Sequence, residues 1–351
     1  MKIFSNDFIS KFFTSVDIGI DLGTANILVF LKGRGIVLRE PSVVALDRES
    51  GKIVAMGRQA KYMLGRTPEN IVAIRPLREG VIADYDTTQL LLENVMQKVA
   101  GKSLFFKPRV MICIPSSVTT VEKRAVLEAA MQSGAAKTFL IEEPMAAAMG
   151  AGLDVGMSHG CMVVDIGGGT TDVAIISLGG VVVSESLRIG GDKFDEAIVR
   201  FVKKEHNVLL GERTAEDIKI NIGSVRKNPL HQQELVVRGR DLVSGLPTTV
   251  KITTAETARA MAEPIGMLLA TVRSVLEKTP PELASDIVES GIVLTGGGAL
   301  LDGLSQLIQE ETRITTKVAD SPLECVALGT GKALANLPLL KNNTFMEKHK
   351  Y

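Results

Sequence analysis

The chain has 351 residues, 45% of them hydrophobic and 23% charged, which is enough for a sizeable core and for more than one domain. Its 40 basic side chains balance 40 acidic ones, so the sequence lacks the basic excess typical of nucleic-acid-binding proteins, and no nucleic acid is expected as a partner. The histidines and cysteines lack metal-site spacing, no apolar run is long enough to span a membrane, and the N-terminus is not a signal peptide, so we expect a soluble, intracellular protein with buried, reduced thiols.

The N-terminal segment, residues 1–13, reads MKIFSNDFISKFF. Large apolar side chains recur on one face at helical spacing, whereas the polar ones lie mostly opposite, which predicts a short amphipathic helix suited to a membrane surface. A helix docked on the protein's own core is the alternative. The apolar positions are Ile3, Phe4, Phe8, Ile9, Phe12 and Phe13.

The first half continues with strands and helices in alternation. Residues 17–31 predict a strand–turn–strand hairpin around DLGT, residues 109–115 a buried strand, and residues 117–134 a helix. A further strand precedes Pro144, which lies in the first turn of the next helix. Just before the strand at 109–115, Leu104 and Phe105 form a second candidate membrane contact, with core packing as the alternative.

The second half repeats this plan. Two strands flank the triple glycine of DIGGGTTDVAI (165–175), a third strand follows, and a helix is predicted from Asp192 to His206. Residues 291–297 predict a late buried strand, and GALLDGLSQLIQEE its following helix. The pattern indicates an internally duplicated α/β fold with a cleft between the halves and a boundary near residues 150–160.

The two glycine turns occupy matching places in this duplicated plan. Glycines can adopt positive φ and let backbone N–H groups converge on an anion, and threonine hydroxyls add donors. Asp21 and Asp165 suit a polyphosphate bound to Mg²⁺, through the ion or its waters. Two facing hairpins would therefore clamp one nucleotide, whereas a tight β-turn is the alternative for each alone. AGKS (100–103) is not a P-loop, because Met96 stands where its first glycine would be.

The motifs DLGTAN, DIGGGTTDVAI, IEEPMAAAMGAG and VLTGGGALL resemble the actin, sugar-kinase and heat-shock-chaperone superfamily of ATPases. RTPENIVAIRPLREGVIADYD, RIGGDKFDEAI, PPELASDI and ADSPLECVALGTGKAL resemble the MreB family of bacterial actins more closely, over residues 17–338. The resemblance implies an α/β, actin-like fold of two duplicated domains, each a mixed five-stranded sheet with helices and a smaller inserted subdomain. It divides the chain into a membrane-binding segment (1–16), domain I (17–150 plus 325–338, insertion 36–79), domain II (151–324, insertion 190–254) and a tail (339–351).

The same resemblance implies which residues contact ATP or ADP with Mg²⁺. These residues lie in two phosphate loops, in a loop before the helix at 192, in an adenosine-side loop and on one helix face. Read without the family, Glu216 and Lys219 would be a solvated surface pair. The implied residues are Asp21, Gly23, Thr24, Ala25, Asn26, Gly167, Gly168, Gly169, Thr170, Gly190, Gly191, Asp192, Glu216, Lys219, Gly296, Gly297, Gly298 and Ala299, with Asp21 and Asp165 holding the metal through water.

Glu143 is the candidate hydrolytic residue. It ends a strand and precedes a proline-started helix, so it should point into the cleft and orient a water for attack on the γ-phosphate. Thr170 would help to hold that water and Asp165 the metal, whereas Glu142 should face the other way and Asp172 is interpreted as structural. The alternative for Glu143 is an ordinary exposed glutamate.

The function implied by the resemblance is an ATPase whose filaments, antiparallel double protofilaments on the inner face of the cell membrane, scaffold cell shape. Membrane-bound shape or cytoskeletal proteins are the expected partners. The lysines of the tail suggest weak attraction to anionic lipid, and a disordered end is the alternative. A small-molecule, sugar-type kinase is the alternative of a different class. A chaperone nucleotide-binding domain is not expected, because a substrate-binding domain would follow it and the sequence stops at Tyr351.

Overall fold

The computed structural model describes residues 17–100, 108–226, 232–337 and 344–348. Alternating apolar and β-branched runs form its strands, and longer amphipathic segments form its helices. The strands are β1 (Asp17–Leu22), β2 (Asn26–Leu31), β3 (Gly35–Pro41), β4 (Val44–Asp47), β5 (Ile53–Met56), β6 (Ile71–Ile74), β7 (Leu77–Arg78), β8 (Val81–Ile82), β9 (Arg109–Ile114), β10 (Lys137–Glu142), β11 (Cys161–Ile166), β12 (Thr171–Ser177), β13 (Gly180–Leu187), β14 (Val208–Leu209), β15 (Glu234–Asp241), β16 (Pro247–Thr253), β17 (Ile292–Thr295), β18 (Thr316–Val318) and β19 (Thr344–Lys348). The helices are α1 (Arg58–Met63), α2 (Tyr85–Ala100), α3 (Thr120–Gln132), α4 (Glu143–Gly150), α5 (Gly191–His206), α6 (Glu212–Ile222), α7 (Thr254–Glu277), α8 (Pro281–Ser290), α9 (Leu304–Thr312) and α10 (Cys325–Ala335).

Two large mixed sheets have the same topology. In the first half, β3, β2 and β1 form an antiparallel meander, and β9 and β10 continue it as parallel strands. In the second half, β13, β12 and β11 form the meander, and β17 and β18 are the parallel strands. This repetition confirms the predicted duplication. The five expected strands are present in each sheet, and β19 adds a sixth to the first by pairing antiparallel with β10.

Two small lobes extend from the large sheets. The first small lobe consists of β4, β5, β6 and α1, with its own core of Val43, Ala45 and Ala60. The second small lobe consists of β14, β15, β16 and α6. They lie within the spans 36–79 and 190–254 of the two predicted insertions. The lobes face each other across the upper part of the cleft, as the contacts described below show.

Helix ends follow local sequence signals. Thr119 caps α3 and Thr253 caps α7, each in a capping box with a glutamate three residues on. The single helix predicted for GALLDGLSQLIQEE is wrong: a short 3₁₀ turn, Gly297–Leu300, is separated from α9 by Gly303, whose φ of 81° no regular helix accommodates.

The two halves are joined below the cleft by a shared apolar cluster. It contains side chains of β9 and β10 from one sheet, such as Met111, and of β11 and β12 from the other, such as Val163. Here α4 and α10 cross with backbone against backbone. A Cβ at Gly150 would overlap the carbonyl of Cys325, and a Cβ at Gly329 would overlap the carbonyl of Ala146. These glycines are therefore required for the close approach of the two helices.

The thiols agree with the expectation of buried, reduced cysteines. Cys113, Cys161 and Cys325 are buried and form no disulfide. Within the described ranges, no helix is both long enough and apolar enough to cross a bilayer.

Candidate nucleotide site

The first glycine turn lies between β1 and β2 and is held by residues outside the predicted motif. The Ser42 hydroxyl donates to the carbonyl of Gly23 at 2.6 Å, and the Ser42 amide donates to the carbonyl of Ala25 at 3.0 Å. The Gly80 amide donates to Oγ1 of Thr24 at 3.1 Å. Sequence reasoning missed Ser42 and Gly80, because they reach the loop only through the fold.

The second glycine turn, between β11 and β12, is anchored by α5. The Gly167 amide donates to the carbonyl of Thr170 at 2.8 Å and closes the turn. The first amides of α5 then donate to this loop, Gly191 to the Gly167 carbonyl at 3.0 Å and Asp192 to the Gly168 carbonyl at 2.8 Å. These two amides therefore stabilise the loop and are not free to bind a phosphate.

The two glycine turns contact each other. A Cβ at Gly168 would lie 2.6 Å from Cβ of Ala25, and one at Gly169 would lie 2.6 Å from Oγ1 of Thr24. Gly167, Gly168 and Gly169 all lie outside the left-handed region, so positive φ is not the reason for the triple glycine. Gly168 and Gly169 are instead needed because the two halves meet here, at Ala25 and Thr24.

Buried carboxylates converge below these turns. Asp165 is 4% exposed and Glu143 is 8% exposed, although carboxylates are rarely this buried without a partner. Burial raises the pKa of Asp165 to about 7 and that of Asp21 to about 6. Burial also raises the pKa of Glu143 well above its ordinary value, and the charges of Asp172, Asp165 and Asp21 raise it further. The alternative of an exposed Glu143 is excluded.

A bound cation would compensate the negative charge of these carboxylates. The Thr295 hydroxyl donates to Oδ1 of Asp165 at 2.7 Å, and the Cys113 thiol lies 3.4 Å from Oδ1 of Asp21. In the described part of the chain, no three His, Cys, Asp or Glu side chains are grouped closely enough to hold a metal directly. Asp21 and Asp165 therefore suit a hydrated Mg²⁺ that also contacts a phosphate.

Of the residues predicted to contact adenosine, Gly296 and Gly297 line the central cavity of the cleft. Gly296, with φ of 78°, packs against the carbonyl of Ile166, and a Cβ at Gly298 would overlap the Ile166 side chain. Ala299 follows as the buried residue of the 3₁₀ turn. The Lys219 ammonium donates to the carbonyl of Gly191 at 2.8 Å and to Asp195 at 2.9 Å. Lys219 thereby joins α6 to the start of α5.

Charged side chains of the two halves meet across the cleft mouth, and sequence reasoning missed these pairs. Lys61 lies 2.7 Å from Glu216 and Arg75 lies 2.9 Å from Asp192. Glu79, in the β7–β8 turn, lies 3.6 Å from Arg188 and 3.5 Å from Lys193. Glu216 and Asp192, two predicted nucleotide contacts, therefore face basic groups of the opposite half.

These contacts divide the cleft into three neighbouring cavities. The central one, about 90 Å³, is lined by both glycine turns together with Asp21, Glu143, Asp165, Gly296 and Gly297. Cavities of about 590 Å³, beside Arg75 and Lys193, and about 330 Å³, beside Lys61 and Glu216, flank it. Because ligand pockets usually measure about 300–1,000 Å³, a nucleotide needs the central cavity to widen or to join its neighbours.

Two groups of predicted residues lie wholly or largely outside the described residues. The membrane candidates Ile3, Phe4, Phe8, Ile9, Phe12, Phe13, Leu104 and Phe105 lie outside the described residues. Most of the tail does so too, but Thr344–Lys348 forms the edge strand β19.

Comparisons with known proteins match nearly the whole chain. The sequence model of the MreB/Mbl protein family matches residues 15–342. The cell shape-determining protein Mbl of Bacillus subtilis (strain 168) is 52% identical over 324 residues, which are 92% of this chain and 97% of that relative. The cell shape-determining protein MreB of Escherichia coli (strain K12) is 51% identical over 339 residues, 95% of this chain and 97% of that relative.

Solved structures show the same fold. The crystal structure of MreB 5 of Spiroplasma citri bound to AMPPNP matches with a TM-score of 0.88 at 37% identity, over 93% of this chain and 97% of that one. The same protein bound to ADP also matches with a TM-score of 0.88, at 37% identity over 94% of this chain and 99% of that one. A MamK double helical filament has a TM-score of 0.79 over 92% and 99% of the two chains, and at 22% identity it shows the fold alone.

Proposed function

The chain belongs to the MreB/Mbl protein family, and from this membership and the geometry of its cleft we propose that it is an ATP-dependent, filament-forming protein of the bacterial cytoskeleton that determines cell shape. The resemblance stated from the motifs is thereby confirmed. The sugar-kinase alternative is set aside, because relatives covering 92% and 95% of the chain are named as cell shape-determining proteins.

The nucleotide proposed is ATP, with ADP after hydrolysis. The observation that carries this proposal is the meeting of two glycine turns, one from each half, above the half-buried Asp21 and the buried Asp165. Backbone amides and threonine hydroxyls there suit phosphate oxygens, and the two carboxylates would hold Mg²⁺ through water. The names of the Spiroplasma citri structures, bound to AMPPNP and to ADP, support the same ligand class.

Hydrolysis is assigned to Glu143. Glu143 is the first residue of α4, and its carboxylate lies at the floor of the central cavity. There it would orient a water toward the γ-phosphate, with Thr170 helping to hold that water. Bound Mg²⁺ would neutralise charge on the transferred group. Positioning and charge compensation supply most of the catalysis of phosphoryl transfer, so few further groups are required. We expect a slow ATPase that regulates the filament.

The polymer is proposed to consist of antiparallel double protofilaments on the inner face of the cell membrane, where membrane-bound shape or cytoskeletal proteins would bind. ATP draws the two halves together, because each half contributes one phosphate turn, and the closed form favours assembly. The predicted N-terminal amphipathic segment and the loop at Leu104 and Phe105 would bind lipid.

Assembly and turnover test this proposal together. Purified protein with Mg²⁺ and ATP should show increased light scattering, pelletable polymer and double filaments by electron microscopy, together with slow phosphate release. Asp165→Ala should bind Mg²⁺ and nucleotide weakly and should assemble poorly. Absence of polymer with ATP, GTP, ADP and AMPPNP, with and without liposomes, would contradict the filament assignment.

A further inference from the structure

Two buried neutral side chains beside the aspartates of the central cavity have no role in the scheme above. Thr295 ends β17, and Cys113 lies near the end of β9. The Thr295 hydroxyl donates to Oδ1 of Asp165 at 2.7 Å. The Cys113 thiol donates to Oδ1 of Asp21 at 3.4 Å. Each aspartate therefore has one neutral donor, which binds one of its two carboxylate oxygens.

The two donors occupy equivalent places in the duplicated fold. In the second half, β11 and β17 are parallel neighbours, and Thr295 is paired with Asp165. In the first half, β1 and β9 are the corresponding parallel neighbours, and their pairing ends one residue before Asp21 on β1 and one residue before Cys113 on β9. An aspartate beside a donor on the adjacent parallel strand is thus present once in each half, as the glycine turn is.

The second oxygen of each aspartate is available to a ligand. Among the described residues, no group donates a hydrogen bond to Oδ2 of Asp21 or to Oδ2 of Asp165. Both aspartates line the central cavity together with the glycine turns. Carboxylates at metal sites are generally oriented by hydrogen bonds from neighbouring groups, and the loss of such a group typically weakens metal binding about 10- to 100-fold.

The two donors differ in strength. A hydroxyl 2.7 Å from a carboxylate oxygen makes a short, charge-assisted hydrogen bond, whereas a thiol is a weak donor. Asp165 is also buried, whereas Asp21 is half-buried. The aspartate of the second half is therefore held more firmly than the aspartate of the first half.

We propose that Thr295 and Cys113 are equivalent positioning residues for the metal: each donor fixes the carboxylate of its aspartate and leaves the second oxygen for a hydrated cation. The inference rests on the proposed function, because it concerns the Mg²⁺ that would accompany the nucleotide. The unequal donors make the second half the main holder of the cation, while Asp21 keeps more freedom to adjust as the halves move together.

Titration with Mg²⁺ in the presence of AMPPNP tests this role without relying on hydrolysis. Thr295→Val replaces the hydroxyl by a methyl group of similar size and should raise the Mg²⁺ concentration for half-maximal thermal stabilisation about tenfold. Thr295→Ser keeps the donor and should stay within about twofold of wild type. Cys113→Ala removes the weaker donor and should raise this concentration only about threefold. A purely structural hydroxyl would lower the melting temperature without changing the Mg²⁺ requirement.

Matched controls remove the same chemical groups elsewhere in the second sheet. Thr316→Val removes a buried hydroxyl of β18, which donates to the carbonyl of Ile314 at 3.0 Å. Cys161→Ala removes a buried thiol at the opposite end of β11 from Asp165. Both variants should have the Mg²⁺ requirement of the wild-type protein.

A double-mutant cycle separates positioning from other effects. Because Thr295 is inferred to act through Asp165, Thr295→Val should not change the Mg²⁺ requirement further in the Asp165→Ala protein. A wild-type Mg²⁺ requirement in Thr295→Val, or an equal rise in Thr295→Val and Thr295→Ser, would overturn the inference.

If Thr295→Val does not fold, Thr295→Cys replaces it, because this variant introduces the weaker donor of the first half. It should raise the Mg²⁺ requirement about threefold, and a wild-type value there and in Cys113→Ala would again overturn the inference. Failure of the wild-type protein to bind AMPPNP with Mg²⁺ would instead contradict the proposed function.

Discussion

Three carboxylates, those of Asp21, Glu143 and Asp165, line one small cavity, and the buried Asp172 pairs with Asp165 across the sheet. So many negative charges cannot all be tolerated at low dielectric unless protons or a cation offset them. The site is therefore built for a positively charged or metal-bearing ligand. At the scale of single residues, its chemistry and its stability should both depend on that compensation.

Glu143→Ala and Thr170→Ala should bind ATP but lose phosphate release. Both side chains are placed at the attacking water rather than at the adenosine, so kcat should fall about 10²- to 10³-fold while nucleotide affinity changes little. Phosphate release and fluorescent-nucleotide binding measure the two effects separately. Glu128→Gln, at an exposed position of α3, is the control. Phosphate release near the wild-type rate in either variant would refute its assignment.

The pH dependence of stability should reveal Asp165. Its pKa is raised from 3.8 to about 7 by burial, so between those values the native state holds a proton that the unfolded state has lost. Stability without Mg²⁺ and nucleotide should then fall as the pH rises through this window, by about 1.4 kcal/mol per pH unit. Asp165→Asn lacks this proton, so its stability relative to wild type should increase from pH 5 to pH 7.

Urea denaturation at several pH values measures this difference. Parallel stability curves for wild type and Asp165→Asn would show that Asp165 does not titrate in the native state in this range. Adding Mg²⁺ with nucleotide should flatten the wild-type curve, because the cation takes over the role of the proton.

At the scale of elements, the two glycine turns function together because they are in direct contact. Gly168→Ala should hold them apart, since its Cβ would lie 2.6 Å from Cβ of Ala25. Gly167→Ala is the matched control, because its Cβ would lie 3.4 Å from the nearest atom and its φ suits alanine. We expect the critical concentration for ATP-dependent assembly to rise about tenfold in Gly168→Ala and about twofold or less in Gly167→Ala. Pelleting assays measure it, and equal values would contradict contact-driven closure.

What the sequence could predict is local. Both hairpins, the acids before them and the proline after Glu143 are readable because strand pattern, turn and cap lie within a few residues of one another. The reason for the triple glycine was not readable, because the backbone that excludes a side chain at Gly168 belongs to Ala25, far away in the chain. For the same reason, the pairing of Lys61 with Glu216, 155 positions away, could not be predicted from the sequence.

At the scale of the whole molecule, the duplicated fold was predictable because each half repeats its own pattern of strands, turn and helix. The sixth strand of the first sheet was not, since β19 (Thr344–Lys348) comes from a segment with no distinctive strand pattern. The same holds for the packing of α4 against α10, which depends on two glycines on different helices.

Membrane binding should depend on two apolar segments acting together. Removing residues 2–13 and replacing Leu104 and Phe105 by serine should abolish most pelleting with anionic liposomes, because buried apolar area is lost at both points. Leu242→Ser with Val243→Ser is the control, since both residues are exposed in the β15–β16 turn. Assembly in solution should persist. Undiminished liposome binding would contradict the membrane assignment.

The crossing of α4 and α10 has a mechanical consequence. Helix α4 is only eight residues long, with Glu143 at one end and Gly150, in bare backbone contact with α10, at the other. No side chain lies between the two backbones at that contact. The crossing can therefore act as a pivot about which α4 moves as a rigid body. A rotation of one half against the other about this crossing would displace the carboxylate of Glu143, the proposed hydrolytic residue, and a filament that holds its subunits in one arrangement would thereby set the timing of hydrolysis.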